Sequence, residues 1–558
     1  MGSLMGFLGR AAPWRGAASA LLACAALCAQ LPPPPVPLEN PITPQKAVLG
    51  KILFWDEQLS SDDSVACGTC HVPESGGMDP RTALPQARVH PGFDGAVGTP
   101  DDVHGSPGVS RQDRSGEFLP DPLFGLEPRV SPRSAPPVLG AAYHALLFWD
   151  GRAPTSFTDP ITLWTAIRFD GALESQALAP ILNPAEMACE GRTWNDVTAK
   201  LAAVTPLALA SGLTPDIAQA LSAHPTYPAL FAAAFGDPAI TPLRIAFAIA
   251  TYERTLVPDE TPWDRYMLGD PAALSTRQQA GLHWFLNQAR CVACHPPPFF
   301  SDDLFHNLGN RPWSEDPGRM AVTSVFAERG AFKTPALRNA GRRPRGFHDG
   351  SMPRLGTGSP TDPNAMIPFY LFGGGPFREN VDPYLVDLSS FGVTWPMMSD
   401  VEEFVRVGLT DPRVAAGLPP FDHPVLRSAD PANAPRAFGA ARAGTIEPAI
   451  ASPIPAWPGN PSFRMGLSAS ARSLLFALSL GLQPDPRPRL LFGAPVNVPP
   501  LLLLQLVPAQ APSLAHATFR AALPRELSGI TVYAQSFALD PSSPFALAAS
   551  RGLAISIR

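Results

Sequence analysis

The clearest helical periodicity lies between Pro242 and Leu256, where Leu243, Ile245, Ala246, Ile249, Ala250 and Leu256 recur on one face. Proline at its start suits a first turn, whose N–H groups have no helical acceptor. A shorter pattern over Glu174–Ile181 stops before Asn183-Pro184, because proline cannot extend the hydrogen-bond ladder. Ser275 is an N-cap for a helix predicted to run through Trp284 into Cys291, and Val401–Val407 predicts a last short helix. Asp79–Pro132 is dense in Gly, Pro and Asp and reads as loops. Beyond about Arg427 the pattern changes. An Ala- and Pro-rich linker runs to about Pro461, and short apolar runs then follow between turns: Ser473–Ser479, Leu490–Phe492, Pro500–Val507, Thr518–Ala522, Gly529–Leu539 and Gly552–Ile557. Ile530–Phe537 alternates as a half-buried strand does. These runs predict a small all-β, sandwich-like domain, and Leu501–Leu506 is far too short to span a bilayer.

The chain also repeats itself. Arg133-Ser134-Ala135-Pro136-Pro137-Val138-Leu139 precedes Phe148-Trp149-Asp150-Gly151, and Lys333-Thr334-Pro335-Ala336-Leu337 precedes Phe347-His348-Asp349-Gly350. Pro136 to Asp150 and Pro335 to Asp349 are both steps of 14 residues. Two domains of common plan follow from this. The expected organisation is a leader (1–29), a linker (30–45), domains at 46–240 and 241–426, a second linker (427–461) and a β-rich domain (462–558).

Composition changes this picture little. Length, 558 residues, suits several domains, and 69 prolines with 45 glycines imply many loops. A net charge of −6 with no basic run argues against nucleic acid as a partner. Arg10 and Arg15 before the apolar stretch Ala17–Ala29 read as an export leader too short to span a membrane. The protein is therefore expected to be exported to the periplasm. Leu21-Leu22-Ala23-Cys24 offers an alternative, a lipid anchor on Cys24.

The chemistry is carried by two stretches, Cys67-Gly-Thr-Cys70-His71 and Cys291-Val-Ala-Cys294-His295. Each is C-x-x-C-H, the attachment signature of a c-type haem. Two thiols at this spacing add to the two vinyl groups of one porphyrin, and the following histidine is placed to ligate iron. A four-cysteine zinc site or thioredoxin-like pairs would explain the cysteines but not a histidine after each pair. Cys189 is left over, and a buried inert thiol accounts for it.

From Pro41 to Leu426 the chain resembles the bacterial di-haem cytochrome c peroxidases and the MauG-type di-haem enzymes. The resemblance rests on Leu49–Phe54, Leu59-Ser60, Phe148–Arg152, Tyr252–Leu256, Lys333–Asn339 and Phe347–Gly350. It implies two mainly α cytochrome c domains, with the N-terminal haem as the peroxide site. The family's distal glutamine and glutamate match Gln176 and Glu186, within Gln176-Ala-Leu-Ala-Pro180 and Asn183-Pro-Ala-Glu186-Met187. Trp149 matches the tryptophan between the haems. The connection from Trp149 to Gln176 exceeds the family pattern by about seventeen residues and includes Trp164 and Arg168, a surface or substrate-facing loop. By the same resemblance, the C-terminal haem takes Tyr370 as its distal ligand, with Met366 as the alternative and Met352 behind it. His90 or His104 would be a removable ligand of the N-terminal haem, and a calcium ion between the domains is a family feature.

The leading expectation is thus a di-haem peroxidase that reduces hydrogen peroxide to water at the Cys67/Cys70 haem. Electrons would come from a small cytochrome or cupredoxin through the Cys291/Cys294 haem. A MauG-like enzyme oxidising residues of a partner protein is the alternative favoured by Tyr370. A plain electron-transfer cytochrome is the reading from another class, and the Gln176/Glu186 pair argues against it, because a carrier needs no distal acid–base group.

Overall fold

A computed structural model describes residues 31–83, 89–441, 448–485, 489–491, 494–499, 503–508, 514–541 and 547–558. The leader and Cys24 lie outside the described residues. Helix α1 (Pro44–Phe54) starts at Thr43, whose hydroxyl accepts from Lys46 N, and carries proline in its first turn. Helix α2 spans Ala172–Leu178 and helix α3 spans Pro242–Glu253. The three pack into one core with Leu49, Ile52, Ala177, Ile245 and Ile249 inside. Gly50 permits the α1–α3 contact: a Cβ there would lie 1.9 Å from Ala248 O. Arg254 and Glu174, both fully buried, pair at 2.7 and 2.9 Å and lock α2 to the end of α3.

A second core gathers around helices α4 (Thr276–Leu286), α5 (Met366–Leu371) and α6 (Trp395–Glu403), with Phe285, Phe300, Met398 and Phe404 buried. Ser275 caps α4 as expected, accepting from Gln278 N. The helix ends at Leu286, however, and does not reach Cys291. Asn287 donates its side-chain amide to His283 O and leaves the helical region, and Arg290 turns back at φ +56°. A side-chain donor competing for the last carbonyls ends the ladder early. The helix expected at Val401–Val407 begins earlier, at Trp395, and closes in a wide turn at Phe404–Gly408.

The blocks singled out by their common spacing clasp each other. Ser134 N donates to His348 O and Lys333 N donates to Trp149 O, both at 2.8 Å. Phe148 and Phe347 share a left-handed backbone, φ +64° and +63°.

C-terminal strands form two antiparallel sheets over one core. One runs 503–508, 475–481, 531–539, 552–556, 436–438; the other runs 449–451, 463–469, 515–521. Met465, Leu467, Phe476, Leu478, Ala517 and Ile555 fill the space between them. The supposed linker therefore contributes to both sheets, through Arg436–Phe438 and Ala449–Ala451. Strands of three residues are too short to show a period, which is why the pattern missed them. This region rests on the loops after the first haem motif: Phe118 N donates to Thr518 Oγ1 at 2.8 Å, and Phe118 and Leu126 pack with Ala451 and Ile454.

Candidate active site and haem cavities

Cys67–Cys70 form a single helical turn, with Thr69 Oγ1 accepting from Ala66 N. His71 follows, and its Nδ1 meets Gly77 O at 3.2 Å. That bond fixes the tautomer and leaves the Nε2 lone pair free for a metal. Burial holds His71 below the usual imidazole range, so it stays neutral. Cys67, Cys70 and His71 line a cavity of about 1470 Å³, open solvent included, together with Trp149, Arg152, Gln176, Glu186 and Glu253.

Local chain chemistry places Glu186. After α2 and a short turn at Pro180–Leu182, Asn183 O accepts from the N–H groups of Glu186, Met187 and Ala188. Asn183 Nδ2 also donates to Glu186 Oε1 at 2.7 Å. Gly108 lets a neighbouring strand press against this turn, since a Cβ there would lie 2.1 Å from Ala185 O. Burial raises the Glu186 carboxyl above its ordinary range, while the Arg152 charge and the Asn183 amide pull it back. Glu253, the last residue of α3, is 4% exposed, and burial pushes it up to about 8. Its Oε2 has no hydrogen-bond partner among the described residues.

The second motif repeats the proximal arrangement. His295 Nδ1 meets Phe300 O at 2.8 Å, and burial takes His295 down to about 4. Cys291, Cys294 and His295 line a second cavity, about 1530 Å³ with open solvent, along with Met352, Met366 and Tyr370. Pro368 lies in the first turn of α5, where its missing N–H is harmless, so Met366 and Tyr370 sit one turn apart. Burial pushes the Tyr370 phenol up, with the Cys291 and Cys294 thiols adding to it. Trp149 borders both cavities. It is 6% exposed and fixed by Nε1 donating to Ser134 O at 2.8 Å.

The sequence matches the di-haem cytochrome c peroxidase family over residues 44–272. It is 33% identical over 343 residues to the methylamine utilization protein MauG of Methylorubrum extorquens, covering 61% of this chain and 72% of that protein. The chain belongs to the di-haem cytochrome c peroxidase and MauG family. Cytochrome c peroxidase Ccp of Escherichia coli is 28% identical over 377 residues, 66% of this chain and 63% of that protein. A MauG-like protein associated with microbial copper homeostasis aligns in structure with a TM-score of 0.47 at 23% identity, over 72% of this chain and 97% of its own.

Membership implies two haem cofactors, and the residues of this di-haem family member fit them. Each cavity offers a thiol pair and a histidine with its outer nitrogen free. In the second cavity Arg343 is buried, its Nη2 donating to Ala336 O and Arg338 O while Nε is unpartnered, and burial lowers it to about 10. Arg345 Nε is unpartnered as well. Such guanidinium N–H groups call for acceptors, and a porphyrin carries two carboxylates at its edge. The cysteine pairs line separate cavities, which removes the four-cysteine zinc reading.

Gln176, Glu186 and Trp149 are thus brought together, and Tyr370 and Met366 share the other cavity. His90 is not: it bridges to Val103 in the surface loop and lines neither cavity, nor does His104. A lone loop histidine carries no signal for its distance from an iron. Glu253 and Arg152 were overlooked as site residues, although both lie in motifs that carried the resemblance. Among the described residues, the one cluster with metal-ligand chemistry is Cys294, Asp302 and His306. His306 is ion-paired there to Asp302 and Asp382, at 2.8 and 2.5 Å, and Cys294 belongs to the haem motif. Among the described residues, no further cluster of three or more His, Cys, Asp or Glu side chains is placed to hold a metal ion. No helix among the described residues is long and apolar enough to cross a membrane.

Proposed function

We propose that the chain reduces hydrogen peroxide to water at the Cys67/Cys70/His71 cavity with electrons delivered from the Cys291/Cys294/His295 cavity. The observation that carries this is the convergence of Gln176, Glu186 and Trp149 on the first cavity, with Trp149 also bordering the second. The balance is one peroxide, two protons and two electrons to two waters. Bound haem supplies the iron that takes up peroxide and passes electrons to it. Ionised Glu186 accepts the proton of the nearer peroxide oxygen and returns it to the farther one, which leaves as water. The Gln176 amide donates to peroxide and orients it. The Arg152 charge lowers the pKa of the half-buried Glu186 carboxyl, opposing the effect of burial. Trp149, which lines both cavities, offers an aromatic bridge between them.

In this reading the chain comprises two haem-bearing cytochrome domains of common plan, 46–240 and 241–426, followed by the β-rich unit. Equal motif spacing and the reciprocal Ser134–His348 and Lys333–Trp149 bonds support it. The protein would be exported to the periplasm and reduced there by a small cytochrome or cupredoxin. Tyr370 in the second cavity favours a second reading, in which peroxide oxidises residues of a partner protein, as a MauG-like enzyme would.

An optical and EPR titration of the diferric protein with peroxide, repeated after one-electron reduction, tests both. Turnover with a reduced cytochrome only after half-reduction supports the peroxidase. Immediate reaction of the diferric form supports the Tyr370 reading. No reaction in either state refutes the role of Glu186.

A further inference from the structure

The long connection between Trp149 and Gln176 is a hairpin, Phe157–Thr158 against Thr165–Ile167. Its base is anchored, with Phe157 and Ile167 paired and buried. Its tip is not. Ile161, Leu163 and Trp164 are 58%, 77% and 79% exposed, and Phe169 just beyond is 72% exposed. The tip is built rather than slack. The Asp159 carboxylate accepts from Ile161 N and Thr162 Oγ1, and Asp159 O accepts from Leu163 N. Leu163 is held at φ +61°, a backbone that suits glycine and strains leucine. A turn that uses the Asp159 carboxylate to hold apolar side chains in water presents a contact surface, with the exposed Asp170 at its base.

The chain's N-terminal segment lies beside the hairpin. Buried Arg254 donates to Pro35 O at 3.1 Å and to Asp170 O at 2.9 Å, so the segment emerges at the hairpin's base. Leu38 is 94% exposed three residues on. The apolar stretch Ala17–Ala29 and Cys24 precede this point. The eleven residues from Cys24 to Pro35 span at most about 40 Å. The tip is also a narrow end of four side chains, whereas a stable protein interface needs about 800 Å² from each partner. Tryptophan with aliphatic neighbours and a flanking arginine, here Arg168, suits the headgroup boundary of a lipid layer.

We propose that Ile161, Leu163, Trp164 and Phe169 seat the protein on a lipid bilayer. The test uses the di-haem protein exported behind an unrelated cleaved leader, so that it starts at Ala29 and carries no acyl chain. It is sedimented with vesicles of phosphatidylethanolamine and phosphatidylglycerol at low and high salt. The wild type should co-sediment at both. Leu163→Asp with Trp164→Asp should lower the partition coefficient by roughly tenfold or more for each side chain withdrawn, with peroxide consumption in solution unchanged. Leu163→Gly, which relieves the strained backbone, should melt no lower than wild type yet bind about tenfold more weakly. Wild type left in the supernatant, binding abolished by salt, or a double variant that sediments like wild type would each overturn the proposal. So would a tip that is needed for reduction by a donor protein but not for vesicle binding.

Discussion

Replacing Glu253 by glutamine isolates the cost of a buried acid beside the peroxide cavity. In the unfolded chain this carboxyl loses its proton near 4.5; in the folded protein burial holds the proton to about 8, with Arg254 lowering and Glu174 raising that value. Between these two values the native state carries one more proton than the unfolded state, so stability falls as pH rises. The stabilising side of this linkage is fully present below pH 4.5 and is lost progressively up to about 8, beyond which the curve levels. At about 1.4 kcal/mol per pH unit, the loss between pH 5 and pH 8 is roughly 3–4 kcal/mol. Glutamine keeps the shape and one donor but does not ionise. Glu57, which burial also raises, to about 7, contributes its own slope to both proteins and cancels in the difference. Denaturant unfolding of the haem-loaded wild type and Glu253→Gln, followed by Soret absorbance and circular dichroism, reads the gap directly. The variant should gain roughly 3–4 kcal/mol on the wild type between pH 5 and pH 8. A gap independent of pH would refute the assignment of a buried, protonated Glu253.

Three further outcomes are expected. Glu186→Gln should slow peroxide consumption in stopped-flow by about 10²–10⁴-fold. Because Glu186 works ionised and its pKa is raised, the wild-type rate should fall as pH drops through that value, and Arg152→Ala should move this limb to higher pH. Arg338 and Asp264, both buried and joined by two 2.7 Å bonds, hold Pro258 and Pro298 to the second core. Arg338→Met should destabilise by about 3–5 kcal/mol in thermal unfolding, because it leaves the buried Asp264 charge unpaired. Tyr370→Phe should change the low-temperature EPR signal of the second haem while Met366→Leu leaves it, the reverse pattern assigning Met366.

The sequence determined what depends on neighbours along the chain. C-x-x-C-H is local chemistry, a thiol spacing followed by a ligand, and needs no fold to be legible. So are the Ser275 cap, the face of α3, and the Asn183-Pro184 turn whose amide holds Glu186. The equal Pro136–Asp150 and Pro335–Asp349 steps are likewise legible in the sequence alone. Tertiary structure decided the rest. Trp149 borders both cavities where the two blocks meet, through bonds from Lys333 N to Trp149 O and from Ser134 N to His348 O that join segments far apart in the chain. Position alone puts His90 outside the lining of both cavities and Glu253 within the first, since neither residue type announces its distance from a cavity. Three-residue strands such as Arg436–Phe438 carry no period and exist only because Gly552–Ala554 offers them an edge. Burial acts in the same way: it is the surrounding fold that raises the Glu253 carboxyl, leaves Arg343 Nε without an acceptor and holds Leu163 and Trp164 in water. Hydrogen bonds and desolvation between distant segments are properties of the packed chain, and no window of sequence contains them.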